Sequence, residues 1–140
     1  MTLTKPQDAK SLTYPKKTIE RATRALRCSP FQMPLFATMR QQSVNMGTIS
    51  STTGVNLQYT RRPLSELAAE NALTWLISVG VLRREVDGQG LTDSFRLTPL
   101  GHQIIEQWQA QGQVVPPPTW RDRIYNALSR WLRISLIGNW

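Results

Sequence analysis

The feature that most constrains the fold is one uninterrupted stretch, residues 64–108. Leu64, Leu67, Ala68, Ala72, Trp75, Leu76 and Val79 recur at three- and four-residue intervals, the spacing of one apolar stripe on a helix. Pro63 suits a first helical turn, and Gly80 suits a left-handed exit, because a residue without Cβ takes positive φ at little cost. Val81 to Val86 then predicts a strand, and Asp87-Gly88-Gln89-Gly90 is a turn cluster. Phe95 to Thr98 predicts a returning strand with Phe95 and Leu97 on one face and Arg96 and Thr98 on the other. Pro99 opens a further helix carrying Leu100, Ile104, Ile105 and Trp108.

Helix, glycine stop, strand, glycine-bearing loop, strand and helix is the order of a winged helix, in which a hairpin covers one flank of a small bundle. Upstream, Ile19, Ala22 and Leu26 predict a helix over Thr18 to Arg27, ended by Ser29-Pro30, since the residue before proline avoids the helical region. A second helix is expected over Pro34 to Gln42, facing Leu35, Phe36 and Met39 inward. A short one is expected over Thr48 to Thr53, closed by Gly54. On this reading the helix after Pro63 is long, and its early exposed turns present Ser65, Glu66, Ala69 and Glu70.

The segments ENALTWLISVGVLRRE, DGQG and FRLTPLG resemble the recognition-helix and wing signature of winged-helix regulators. Together with RALRCSPF they resemble a small cyanobacterial family of winged-helix proteins, over roughly residues 17–108. The resemblance implies a mainly α chain with a small β-hairpin (α+β): a winged helix-turn-helix core with a C-terminal amphipathic helix appended. The expected organisation is a basic tail over 1–16, the winged-helix domain over 17–108, a Gln/Pro-rich linker over 109–118 and a basic amphipathic helix over 119–140. Pro116-Pro117-Pro118 makes that linker a stiff spacer, which places the last helix outside the main module.

Charge bears on function. The net charge is +8 over 140 residues. Its excess lies at the ends: Lys5, Lys10, Lys16, Lys17, Arg21, Arg24 and Arg27 oppose only Asp8 and Glu20, and Arg121, Arg123, Arg130 and Arg133 oppose only Asp122. Residues 28–110 balance. Such ends favour phosphate-bearing or acidic partners. No run of apolar residues is long enough to span a bilayer, and the N-terminal stretch lacks the apolar centre of a secretory signal. A single cysteine, Cys28, fits a reducing compartment, so cytoplasm is expected.

Catalysis is not expected. One histidine, His102, and one cysteine are too few for a His/Cys metal site. His102 reads as a solvated surface residue and Cys28 as a small buried one. Glu66 and Glu70 lack a third group to complete an acid–base site, and DGQG lacks the lysine and helix of a phosphate cradle. No cofactor is implied.

Two readings follow. In the first, the protein is a DNA-binding transcriptional regulator and double-stranded DNA is the partner. Thr60–Thr74 is then the reading segment, Asp87–Ser94 the wing and residues 1–27 an electrostatic arm. The candidate contacts are Arg61, Arg62, Ser65, Gln89, Thr92, Arg96, Lys16 and Lys17. Glu66 and Glu70 weigh against it, because carboxylates repel phosphate. In the second, the protein is an adaptor whose C-terminal helix binds a partner through Trp120, Arg123, Ile124, Leu128, Trp131 and Leu132. That helix has three possible destinations: its own domain, a second subunit in a homodimer, or a protein or anionic membrane surface. Dimerisation is the first expectation.

Overall fold

The structure, a computed structural model, describes residues 13–112 and 114–138, with side chains as far as Leu132. Residues 1–12, most of the expected basic tail, lie outside the described residues. Among the described residues, seven helices and a three-stranded antiparallel sheet form an α+β fold. The chain runs α1 (Lys16–Cys28), α2 (Met33–Met39), β1 (Val44–Asn45), α3 (Met46–Ile49), α4 (Ser51–Asn56), α5 (Glu66–Ser78), β2 (Leu82–Asp87), β3 (Gly90–Leu97), α6 (Pro99–Gln111) and α7 (Trp120–Gly138). Lys16 is therefore helical and not part of a tail, and residues 109–111 continue α6 instead of opening the linker.

Helix α1 buries Ala22, Ala25 and Leu26 and ends where the Ser29 hydroxyl donates to the Leu26 carbonyl, one residue before Pro30. Helix α2 starts around Pro34 and buries Met33, Leu35, Phe36 and Met39, with Phe31 edge-on to Phe36 at 6.4 Å. The helix expected over Thr48 to Thr53 is two short helices instead. The chain breaks at Ser50, Ser51 takes a left-handed φ of 59°, and its N–H donates to the Leu64 carbonyl at 2.7 Å. Gly54 lies inside α4 and does not stop it. It is buried because the chain crosses the Ile49 carbonyl there.

Helix α5 begins at Glu66, not at Pro63. Ser65 is its N-cap, the side-chain oxygen accepting from the Ala68 N–H at 3.1 Å, and residues 60–65 form a loop. The helix expected from Pro63 onward therefore starts three residues later. The core side of α5 is Ala69, Leu73, Trp75, Leu76 and Val79, whereas Leu67 is 69% exposed and Ala68 is exposed. The early stripe was phased about one residue off, because apolar side chains occupy nearly every direction around this helix. Its exit is as expected. Gly80, at φ +88°, donates to the Ile77 carbonyl and Val81 to the Leu76 carbonyl, satisfying two otherwise unpaired C=O groups.

The hairpin is tighter than expected. Strands β2 and β3 pair from Leu82↔Leu97 to Asp87↔Gly90, with an irregularity at Glu85, so only Gly88 and Gln89 form the turn. Most of the expected wing loop, Asp87–Ser94, is strand. Its end is set by Asp87, whose carboxylate accepts from the Gln89 N–H, and by Gly90 at φ +116°. β1, a strand too short to show periodicity, pairs with β3 (Val44↔Phe95, Asn45↔Ser94), giving the order β1-β3-β2. Thr98 caps α6 by accepting from the Gly101 N–H, and Leu100, Ile104, Ile105 and Trp108 are buried as expected.

Candidate partner-binding surfaces

Two surfaces carry the candidate residues. The first comprises the loop before α5, the exposed side of α5 and the hairpin. Arg61 and Arg62 are exposed in that loop and form no ion pair among the described residues. Gln89 is exposed at the hairpin turn. The other candidates are engaged internally. The Ser65 hydroxyl caps α5, the Thr92 hydroxyl donates to the Glu85 carbonyl at 3.0 Å, and Arg96 pairs with Glu85 at 3.2 Å. Arg84, not among the expected contacts, is held by Glu70 (3.6 Å) and Asp93 (3.4 Å) with its guanidinium 4.9 Å from the Phe95 ring centre. Ala69, expected on the exposed turns, is fully buried. This face therefore offers outward a mixture of acids, Glu66 and Glu70 among them, apolar side chains (Leu67, Val86 and Leu91), Gln89 and Arg83, beside the two loop arginines.

The second surface is α7 with α1. α7 is not a separate appendage: it packs against α1. Its N-terminus is built by reciprocal capping. The Thr119 hydroxyl accepts from the Asp122 N–H at 3.1 Å, and the Asp122 carboxylate accepts from the Thr119 N–H at 3.0 Å. The same carboxylate meets Arg27 of α1 at 3.2 Å. One turn on, Asn126 accepts from the Trp75 indole N–H at 2.9 Å. Arg130 donates to the Asn71 carbonyl at 3.2 Å and lies over the Trp75 ring. Arg24 of α1 lies 5.5 Å from the Tyr125 ring centre. Asp122, Asn126, Ser129 and Arg130 lie at helical spacing and are the half-buried positions of the helix, so α7 is docked by its polar stripe.

The apolar stripe consequently points away from the domain. Trp120 is 67% exposed and Trp131 62%, and Ile124, Leu128 and Leu132 are each about half exposed. With Tyr125, 53% exposed, they form a run of large exposed apolar side chains along one side of the helix, of the kind that marks interaction sites. Lys17, expected as a contact of the electrostatic arm, lines the groove between α1 and α7 with Glu20, Arg21, Arg24 and Tyr125. Lys16 is exposed one residue before it. The Thr119-x-x-Asp122 spacing was a readable capping signal. The choice of Asn126 and Arg130 as anchors was not readable, because their partners Trp75 and Asn71 lie on a distant helix.

Hydrogen bonding from the Thr119 N–H, reinforced by Arg27, holds the Asp122 carboxyl below the ordinary carboxylate range against the opposing pull of burial. A depressed folded pKa means that this tether contributes fully above about pH 4, the unfolded value, and is lost as pH falls through the folded value. Asp122→Asn is therefore expected to weaken α7 docking by about 1–2 kcal/mol at neutral pH, and by progressively less as the pH falls from about 4 toward 2. Hydrogen exchange of the α7 amides at the two ends of that range checks this; an equal effect at both would remove the carboxylate from the tether. Burial pushes the Cys28 thiol up, as Asp122 also does, so it is a poor nucleophile at neutral pH. His102, expected to be solvated, is half-buried, and its pKa is lowered first by that burial and then by Arg40 and Arg96. Among the described residues no group of His, Cys, Asp and Glu is arranged to hold a metal ion, and no helix is long and apolar enough to cross a membrane.

These features define a small α+β protein whose terminal helix is anchored by polar contacts and turned apolar side out. The chain belongs to the Npun_F0494-like family, whose model matches residues 12–130, from just before α1 to Arg130 of α7. This agrees with the resemblance to a small cyanobacterial family. No curated protein and no solved structure matches the chain.

Proposed function

We propose that the chain is a winged-helix protein acting as a non-enzymatic binding adaptor, with the outward face of α7 as its partner-binding surface. The winged-helix reading is supported by the element order α2–β1–α3/α4–α5–β2–β3 and by the sheet order β1-β3-β2. The observation that carries the adaptor reading is the inverted docking of α7. Burying the stripe of two tryptophans, one isoleucine and two leucines against the core would be worth several kcal/mol, at about 1.5–3 kcal/mol per large apolar side chain. The helix instead uses polar anchors worth about 0.5–1.5 kcal/mol each and leaves that stripe in water. A surface of this kind marks an interaction site.

A second reading, a DNA-binding transcriptional regulator, is favoured by one observation, the exposed Arg61 and Arg62 in the loop before α5, which form no ion pair among the described residues. It is weakened by Glu66 and Glu70 on that helix and by the internal pairing of Arg84 and Arg96.

The two readings separate in one set of measurements. With Leu128 replaced by a photo-crosslinking residue, the adaptor reading expects a reproducible adduct to one identified partner, a lipid, another protein or a second copy. None is expected with the crosslinker at Gln107, an exposed position on α6. Equal labelling at both positions, or none, would overturn it. Duplex binding that weakens and loses salt dependence in the double variant Arg61→Ala/Arg62→Ala would favour the regulator instead.

A further inference from the structure

Resting on the reading of α7 as a binding surface, we propose that the α1–α7 face docks on an anionic lipid bilayer, with α7 lying in the plane of the interface. Charge complementarity selects the occupant. The apolar stripe of α7 is flanked by the exposed Arg121 and Arg123, and the adjoining α1 adds Lys16, Lys17, Arg21 and Arg24. Against these stand two acids. Asp122 is spent on Arg27 and on the cap of its own helix, which leaves Glu20.

The two sets of side chains are contiguous. Tyr125 belongs to the edge of the apolar stripe, lies under the Arg24 guanidinium and lines the same groove as Lys17 and Arg21. An array of apolar side chains rimmed by cations meets the boundary between acyl chains and acidic headgroups with both chemistries satisfied. Tryptophan suits that boundary, having an apolar body and a polar N–H, and long arginines reach from the apolar level to the phosphates.

A second copy fits the face less well, because face-to-face pairing would bring Arg121 and Arg123 toward a surface of their own sign. Duplex DNA would answer the cations but leave Trp120, Ile124, Leu128 and Trp131 without a partner. Docking would also follow from how α7 is already held, since its polar anchors to Arg27, Trp75 and Asn71 fix the outward rotation before any bilayer is met.

The test is flotation of the full chain with vesicles of phosphatidylcholine alone and of phosphatidylcholine with phosphatidylglycerol, read with tryptophan emission. The expected result is at least about a tenfold preference for the phosphatidylglycerol vesicles, since several cations each interact favourably with an anionic surface. It is accompanied by a blue shift and weakened by salt. Leu128→Ser/Trp131→Ser is expected to abolish binding while the domain stays folded with at most a small loss of unfolding temperature, because both side chains are more than half exposed and the polar anchors of α7 are untouched. Arg21→Gln/Arg24→Gln is expected to reduce the preference between the two vesicles at least several-fold, leaving the part due to Lys16, Lys17, Arg121 and Arg123. Absent binding to anionic vesicles, or equal binding to both kinds, overturns the lipid assignment. If vesicles fail while the crosslinker at Leu128 still gives one identified protein adduct, α7 remains the docking surface and only the lipid falls; if both fail, the adaptor reading falls with it.

Discussion

Gly54→Ala is expected to destabilise the protein by about 3 kcal/mol or more, lowering the unfolding midpoint by roughly 10 °C. A Cβ at this position would lie 1.9 Å from the Ile49 carbonyl oxygen, 2.8 Å from its carbon and 3.2 Å from the Thr60 hydroxyl. Two of those three contacts are backbone, so no side-chain rotation relieves them. The backbone is held on both sides. Ser51 donates to Leu64, the Gly54 carbonyl accepts from the Tyr59 N–H at 2.8 Å, and Thr60 bridges to Phe31. The substitution must therefore push α4 away from α3 and shift the loop that carries Arg61 and Arg62. Thermal unfolding followed by circular dichroism measures it, and a midpoint within about 1 °C of the parent would mean that α3 and α4 do not approach this closely.

Phe95→Ala is expected to cost about 3–5 kcal/mol, the range for removing a fully buried phenyl ring. Phe95 is on the central strand, opposite Val44 of β1 and Arg84 of β2, so its ring contributes to both strand pairs at once. The cavity would also remove the ring beneath the Arg84 guanidinium, loosening the side chain that ties the hairpin to Glu70 of α5. Urea unfolding should show a lower midpoint with an unchanged slope, and Phe95→Leu should cost about 1–1.5 kcal/mol. A loss below about 1 kcal/mol for the alanine variant would show that the sheet does not depend on this ring.

The contrast between Gly80 and Gly54 indicates how far the sequence can be read. By sequence both are expected to be helix stops. Gly80 is one, because a helix exit is a local event: the chain needs positive φ there and nearby N–H groups close on the last carbonyls. Gly54 is not, because its role is set by the Ile49 carbonyl that packs against it, and nothing in the neighbouring residue types reports that approach. The start of α5 divides in the same way. Ser65 followed by Glu66 was a readable cap, yet Pro63 and the apolar Leu64 and Leu67 extended the apparent stripe upstream, and tertiary packing chose Ala69 and Leu73 for the core face instead. The two-residue β1 left no trace in the sequence, since its partner is 50 residues away.

For the candidate sites, residue type was legible and availability was not. Arg61 and Arg62 are exposed as their loop position suggested, but Arg96 and Thr92 are occupied by Glu85, a pairing created by the hairpin register. The amphipathic pattern of α7 was plain from Trp120 to Leu132. By itself it left the apolar side three destinations, its own domain, a second subunit, or a protein or membrane surface, because amphipathic spacing reports that a face is apolar and not what covers it.

The sequence alone determined the helices with clean apolar periodicity, the hairpin with its glycine exit, and the segregation of basic charge to the two ends, because each depends on spacing along the chain. Only the tertiary structure decided which way α7 faces. That depends on Arg27, Trp75 and Asn71, brought together from α1 and α5, offering partners for Asp122, Asn126 and Arg130 and so turning the tryptophans outward.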